Sequence, residues 1–130
     1  MPWTETFGVF VVCHLVGDYL FQTEWQALNK YGALGGAGDP RALVAHVATY
    51  ALAFVPAIVW LATEIGAAAA IGIGALVVLP HLVQDDGRLL GRYMLAAKRV
   101  DPREHPGLTV AVDQSMHAVA LFLVALAAAG

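Results

Sequence analysis

Seven residues of two kinds define the chemistry open to this chain: His14, Asp18, His46, His81, Asp85, Asp113 and His117. Six of them form pairs spaced four apart, His14 with Asp18, His81 with Asp85, and Asp113 with His117. On an α-helix, positions i and i+4 share a face one turn apart, so each pair can aim two side chains at one place. Imidazole and carboxylate are donors suited to Zn²⁺, Mn²⁺ or Fe²⁺, with zinc the first expectation. Seven candidate ligands exceed one tetrahedral shell, so one or two divalent ions are expected, a pair lying about 3.5–4 Å apart with bridging carboxylates. A spare aspartate, Asp18 or Asp113, could then act as general base. Gln22, one turn beyond Asp18, and Gln114, beside Asp113, are placed to orient ligands or substrate. Tyr50, one turn from His46, could donate to an oxyanion, and Pro80 should free a backbone carbonyl and kink its helix next to His81.

The elements that must carry these residues are apolar. Of 130 residues, 59% are hydrophobic and only 13% charged, about half the charge of an average soluble domain. A spanning helix needs about 20 mostly apolar residues. Four segments come close: about Thr6–Phe21, continuing helically to Asn29; Ala42–Ala62; Gly66–Val83, extended by a basic amphipathic tail to Arg99; and Leu108–Ala129. The expected fold is therefore all-α, a single domain over 1–130, with about four transmembrane helices around a polar His/Asp core. Lys30–Pro40 is glycine-rich and reads as a loop, Asp39-Pro40 as a helix start, and Thr63-Glu64 as a tight link between antiparallel neighbours. Asp101-Pro102 and His105-Pro106-Gly107 mark the last connection.

Basic residues occur in two places only: Lys30 and Arg41 around the first loop, and Arg88, Arg92, Lys98, Arg99 and Arg103 between the third and fourth segments. The positive-inside rule then places both connections in the cytoplasm and both termini outside. In that orientation Asp18, Asp85 and Asp113 fall in one layer, with His14, His81 and His117 one turn deeper and His46 joining at the edge. Each aspartate in the hydrocarbon costs roughly 2.5–3.5 kcal/mol on insertion scales, so all three must face inward and find partners. The Met-Pro-Trp-Thr-Glu start lacks a basic region, so the first segment is expected to stay in the mature protein.

Several function classes are disfavoured. The net charge of −3 gives no global signal for nucleic acid. A lone Cys13 excludes an intramolecular disulfide or a thiolate cage and reads as packing. There is no Gly-x-Ser-x-Gly elbow or phosphate-binding glycine loop. Asp86 reads as a solvated neighbour of Asp85, His105 as polar surface, and the Arg88–Arg99 stretch as an interfacial anchor on anionic lipid. Structural hydrogen bonding and proton or ion relay use the same residue types. Haem ligation by paired histidines ranks lowest, because three aspartates would crowd it.

The run His14-Leu15-Val16-Gly17-Asp18-Tyr19-Leu20-Phe21-Gln22-Thr23 resembles the opening motif of a family of small bacterial membrane proteins, domain of unknown function 3307. His46, His81-Leu82-Val83-Gln84-Asp85 and Asp113-Gln114-Ser115-Met116-His117 follow its pattern in order over nearly the whole chain. Asp86 departs from it, standing where an aromatic is expected. The resemblance implies a multi-pass protein of the bacterial inner (cytoplasmic) membrane but carries no activity. The His/Asp pattern is similar in style to membrane-bound metal-dependent hydrolases, which in turn look like zinc-dependent phospholipase C proteins. The expected function is a metal-dependent hydrolase acting on a lipid-like or phosphoester substrate at the cytoplasmic leaflet. The alternative is a divalent-metal or proton binding or transport protein. Membrane lipid is the expected partner, and a homo-oligomer is compatible with either reading.

Overall fold

The computed structural model describes residues 2–130, and every element among them is helical. Helix α1 (Trp3–Leu15) passes directly into a π-helical turn, Val16–Phe21. A short α2 (Glu24–Asn29) follows, then the 3₁₀ turn Ala33–Gly35, α3 (Pro40–Ile65) and α4 (Ala67–Asp85). Helix α5 (Arg88–Tyr93) continues as a second π-helical stretch, Met94–Lys98, and α6 (Pro106–Ala129) closes the chain.

Four stretches are long and apolar enough to cross a membrane: Trp3–Phe21, Pro40–Ile65, Ala67–Asp85 and Pro106–Ala129. At 1.5 Å per residue the shortest reaches about 28 Å, close to the roughly 30 Å of a hydrocarbon core. Only 22–44% of their most apolar windows is buried inside the bundle. The remaining apolar surface, with Leu52, Val59 and Ile71 each more than 60% exposed, requires a lipid solvent, and the chain is a multi-pass membrane protein.

The helix starts follow capping chemistry. Asp39 Oδ1 accepts the Arg41 backbone N–H at 2.9 Å ahead of Pro40 in the first turn, so the Asp-Pro signal reads correctly. Boundaries elsewhere differ from the sequence reading. The first helix does not run on to Asn29. It breaks at Gln22–Thr23, because Thr23 and Gln26 form a reciprocal capping box that starts α2 anew. Thr63-Glu64 is not the link between α3 and α4. Both residues are still helical, and the turn is made by Gly66 alone at φ 89°, a conformation that favours glycine. The tail does not extend α4 continuously, since Gly87 at φ 80° separates it from α5. Helix α4 remains helical through Pro80, as α3 does through Pro56.

The one-residue link makes α3 and α4 an antiparallel pair. Phe10, Phe54, Leu61, Ile73, Val77, Leu121 and Ala125 form an apolar core that fills the bundle at the end bearing both termini and Gly66. The polar cluster lies at the other end, towards the two connections that carry all the basic residues.

Candidate metal centre

His46, on the helix that packs against α1, the first π turn and α4, lies at the middle of the cluster. It is fully buried. Its Nε2 is 2.6 Å from Asp85 Oδ2, 3.1 Å from His81 Nε2 and 3.2 Å from Asp18 Oδ1. His81 Nε2 lies 3.4 Å from Asp85 Oδ2 and 3.5 Å from Asp18 Oδ1. Donors on a tetrahedron of radius 2.0–2.1 Å stand about 3.3–3.4 Å apart, and these separations scatter around that value. Asp18 Oδ1 is buried with no hydrogen-bond donor, so its charge faces the gap between the two imidazoles.

A second group joins the first through Asp85, combining Asp85, Asp113 and His117. His117 Nδ1–H donates to the Asp113 backbone carbonyl at 2.8 Å. In the neutral ring this leaves the Nε2 lone pair 3.0 Å from Asp85 Oδ1, where lone pair and carboxylate repel unless a proton or metal cation lies between them. Asp85 thus presents Oδ2 to one group and Oδ1 to the other, the disposition of a bridging carboxylate. The first group is closed, with all four members buried, whereas the Asp113 side chain is 25% exposed.

His14 belongs to neither group. Its Nε2–H donates to Gln114 Oε1 at 2.8 Å, and the Tyr50 hydroxyl donates to its Nδ1 at 3.0 Å. The backbone changes to i→i+5 pairing at Val16, yet His14 Nε2 stays 3.6 Å from Asp18 Oδ2, as close as the i,i+4 pairs on α4 and α6. His14 stands apart because both of its nitrogens are taken by Gln114 and Tyr50. His46, expected at the edge, is central, and Asp113, expected level with Asp18 and Asp85, lies at the rim while those two are buried. Tyr50 is not free to meet a substrate: its ring stacks on His81 with centroids 3.4 Å apart and planes within 6°. Gly17 makes room for it, since a Cβ there would lie 2.5 Å from Tyr50 Cδ2.

Both glutamines contact the cluster. Gln114 Nε2 donates to Asp18 Oδ2 at 3.3 Å, and Gln22 Oε1 accepts from Lys30 Nζ at 2.5 Å. Lys30 itself was missed as a site residue. Its ammonium reaches in from the end of α2 to Asp85 Oδ2, also at 2.5 Å. Its place beside a glycine-rich loop suggested only a topology signal. Asp86 is not solvated: it is 2% exposed. Its Oδ1 accepts the Leu34 N–H at 2.7 Å, its Oδ2 the Arg88 Nε–H at 2.5 Å, and its carbonyl the Gly32 N–H at 2.7 Å. It fastens the first connection to the start of α5. His105 is exposed, and Cys13 packs against the apolar core.

Beside Asp113, a groove of about 680 Å³ opens between α6 and the α5 region, lined mainly by apolar residues with Gln84, Lys98 and Ser115 among them. No curated protein and no solved structure matches the chain. A family model described as "Protein of unknown function (DUF3307)" matches residues 6–129, and with that coverage the chain belongs to the DUF3307 family.

Proposed function

We propose that this chain is a metal-dependent hydrolase embedded in the bacterial inner membrane and acting on a lipid-like ester or phosphoester at the cytoplasmic leaflet. The observation that carries the proposal is the convergence of Asp18 Oδ1, His46 Nε2, His81 Nε2 and Asp85 Oδ2 at near-tetrahedral separations, with Asp18 Oδ1 lacking any donor. The set is nitrogen and oxygen without thiolate, which suits Zn²⁺ and accommodates Mn²⁺ or Fe²⁺. Asp18, His46, His81 and Asp85 would hold one ion in the closed half, and Asp85, Asp113 and His117 a second in the open half. Bound there, such metals would supply Lewis acidity and ready deprotonation of water.

The chain's own groups would complete the chemistry. Asp113, at the rim, takes the proton from the attacking water as general base. The water oxygen bonds to the phosphorus or acyl carbon as the bond to the ester oxygen breaks, and that oxygen departs with the proton Asp113 has taken up. Lys30 keeps a fixed positive charge beside Asp85, where charge on a transferring phosphoryl group can be balanced. The groove beside Asp113 gives lateral access from the bilayer. Of its polar lining, Asp113 and Lys98 lie towards the basic end of the bundle, while Val119 and Leu123 continue it along α6 past the middle of the span. A lipid of the leaflet at the basic end has the same polarity, headgroup first and chain inward.

The apolar core between the cluster and the ends bearing the termini favours a chemical site over a polar path across the membrane. The test is metal analysis of purified protein, together with hydrolysis of a panel of phospholipids in detergent and liposomes. Bound metal with hydrolysis of at least one lipid supports the proposal. Bound metal without hydrolysis, accompanied by metal flux into liposomes, would replace it with transport.

A further inference from the structure

A second cleft, of about 650 Å³, lies on the other side of α5 and shares no lining residue with the His/Asp cluster or with the groove beside Asp113. Arg88, Arg92 and Arg103 line it against a single carboxylate, Asp101, with Tyr31 and Leu95 beside them. Arg88 engages Asp86 only through Nε, leaving its terminal nitrogens free. Arg103 chelates Asp101 through Nε and Nη2 at 3.3 and 3.2 Å. Arg92 is exposed and makes no ion pair among the described residues. With Asp86 and Asp101 each answering one arginine, the cleft keeps one net positive charge, the open fork of Arg92 beside the remaining N–H donors of Arg88 and Arg103, an arrangement suited to a phosphate.

The packing around the cleft is close at three glycines. The Tyr31 ring packs where Gly87 has no side chain, and a Cβ on Gly91 would lie 2.9 Å from the Tyr31 hydroxyl. Arg88 in turn packs across Gly35. Three glycines from two connections thus allow the close approaches that shape the cleft. At the same level Leu89 is 53% and Leu95 58% exposed, as expected of a segment lying in the membrane interface. Anionic headgroups concentrate there, opposite the basic end of the bundle.

We propose that this cleft binds a phosphate-bearing anion, seated as the headgroup of an anionic membrane lipid. The Arg92 fork takes the phosphate oxygens, joined by the donors of Arg88 and Arg103 that Asp86 and Asp101 leave over, and Leu95 and Pro102 meet the glycerol and upper acyl carbons. The site is independent of the metal centre, so it stands whether or not the chain hydrolyses anything.

The test uses the full chain in neutral detergent, titrated with phosphatidylglycerol, phosphatidylcholine or inorganic phosphate and read by native mass spectrometry. One phosphatidylglycerol should be retained per chain in preference to phosphatidylcholine. The exposed pair Arg92→Gln/Arg103→Gln should weaken that binding about 10-fold or more. Arg41→Gln/Arg99→Gln removes the same charge outside the cleft and should change it less than about 2-fold. Equal loss in the two double variants would reduce the effect to net charge and overturn the proposal. So would retention of phosphatidylglycerol by Arg92→Gln/Arg103→Gln. Saturation by inorganic phosphate with no preference for phosphatidylglycerol would overturn the lipid assignment.

Discussion

Replacing Asp85 by asparagine removes the one carboxylate that serves both halves of the cluster. In the native chain it accepts from Lys30 at 2.5 Å, stands 2.6 Å from His46 through the same oxygen, and meets His117 at 3.0 Å through the other. Two costs follow, and they are separable. Without metal, the Lys30 ammonium, 17% exposed at the side chain, retains only Gln22 Oε1. Breaking a buried pair from one side costs about 3–5 kcal/mol, and partial exposure places this case near 3. With metal, loss of a supporting group alone typically costs 10–100-fold in affinity, so loss of a donor should reach about 100-fold. Wild type at 100 times its dissociation constant gains about 2.7 kcal/mol from the ion, and the variant at the same concentration should gain less than about 0.5. Denaturant unfolding in micelles, with metal or with chelator, measures both terms. Lys30→Met/Asp85→Asn should recover much of the metal-free stability but none of the metal response. The reasoning fails if wild type is equally stable with metal and chelator, or if Asp85→Asn keeps the full metal response.

Three further outcomes are expected. Gly17→Ala should drive its Cβ into the Tyr50 ring, with the Tyr50 Cα only 3.2 Å away. The resulting shift should cost about 1–3 kcal/mol and weaken metal binding through His81, on which Tyr50 stacks, measured by unfolding and metal titration. Asp113→Asn should remain folded and keep the ion of the closed half, which it does not touch, while hydrolysis falls at least about 10²–10⁴-fold in the lipid assay, because the base and one holder of the open-half ion are lost. Reporter fusions at Gly130 should be active only outside the cytoplasm, since the basic residues all lie in the two connections at the other end; cytoplasmic activity would reverse the assigned orientation.

Much of the fold was legible because a membrane leaves few options. Apolar length gave the spans, and Asp39-Pro40 gave a helix start that the structure keeps. The boundaries that moved were decided by local contests: the Thr23/Gln26 capping box against continuation of α1, and Gly66 against Thr63-Glu64 as the turn. The His/Asp residues were legible by type, since intramembrane carboxylates need partners. Their arrangement was less so. His46, without a His or Asp four residues away, was placed at the edge yet occupies the centre, because convergence among helices is a tertiary property that spacing along one helix does not encode. His14 keeps its approach to Asp18 at 3.6 Å but spends its nitrogens on Gln114 and Tyr50, partners on other helices that its own helix does not reveal. Lys30 was hidden by lying in a loop whose path into the cluster depends on Asp86 holding Gly32 and Leu34 in place.

The charge arrangement of the cluster argues for a cation at its centre. Asp18 and Asp85 both approach His46 and His81, and two carboxylates in a low-dielectric site repel unless positive charge lies between them. Lys30 answers for Asp85, but the ion pair it forms is with Asp85 alone, and Asp18 Oδ1 is left without a donor. The neutral imidazoles can place at most one proton each. His46 Nδ1 and His81 Nδ1 are both buried without an acceptor, so protons placed there satisfy nothing in the chain and leave both Nε2 lone pairs directed inward. Moving one proton to His46 Nε2 satisfies Asp85 at 2.6 Å but still leaves His81 Nε2 facing Asp18 Oδ1. A single divalent ion among the four atoms answers both carboxylates and both Nε2 lone pairs together, leaving only the two Nδ1–H groups without an acceptor. Selection for hydrogen bonding alone would have little reason to keep two aspartates and two histidines so close, since an apolar core of similar volume is often as stable.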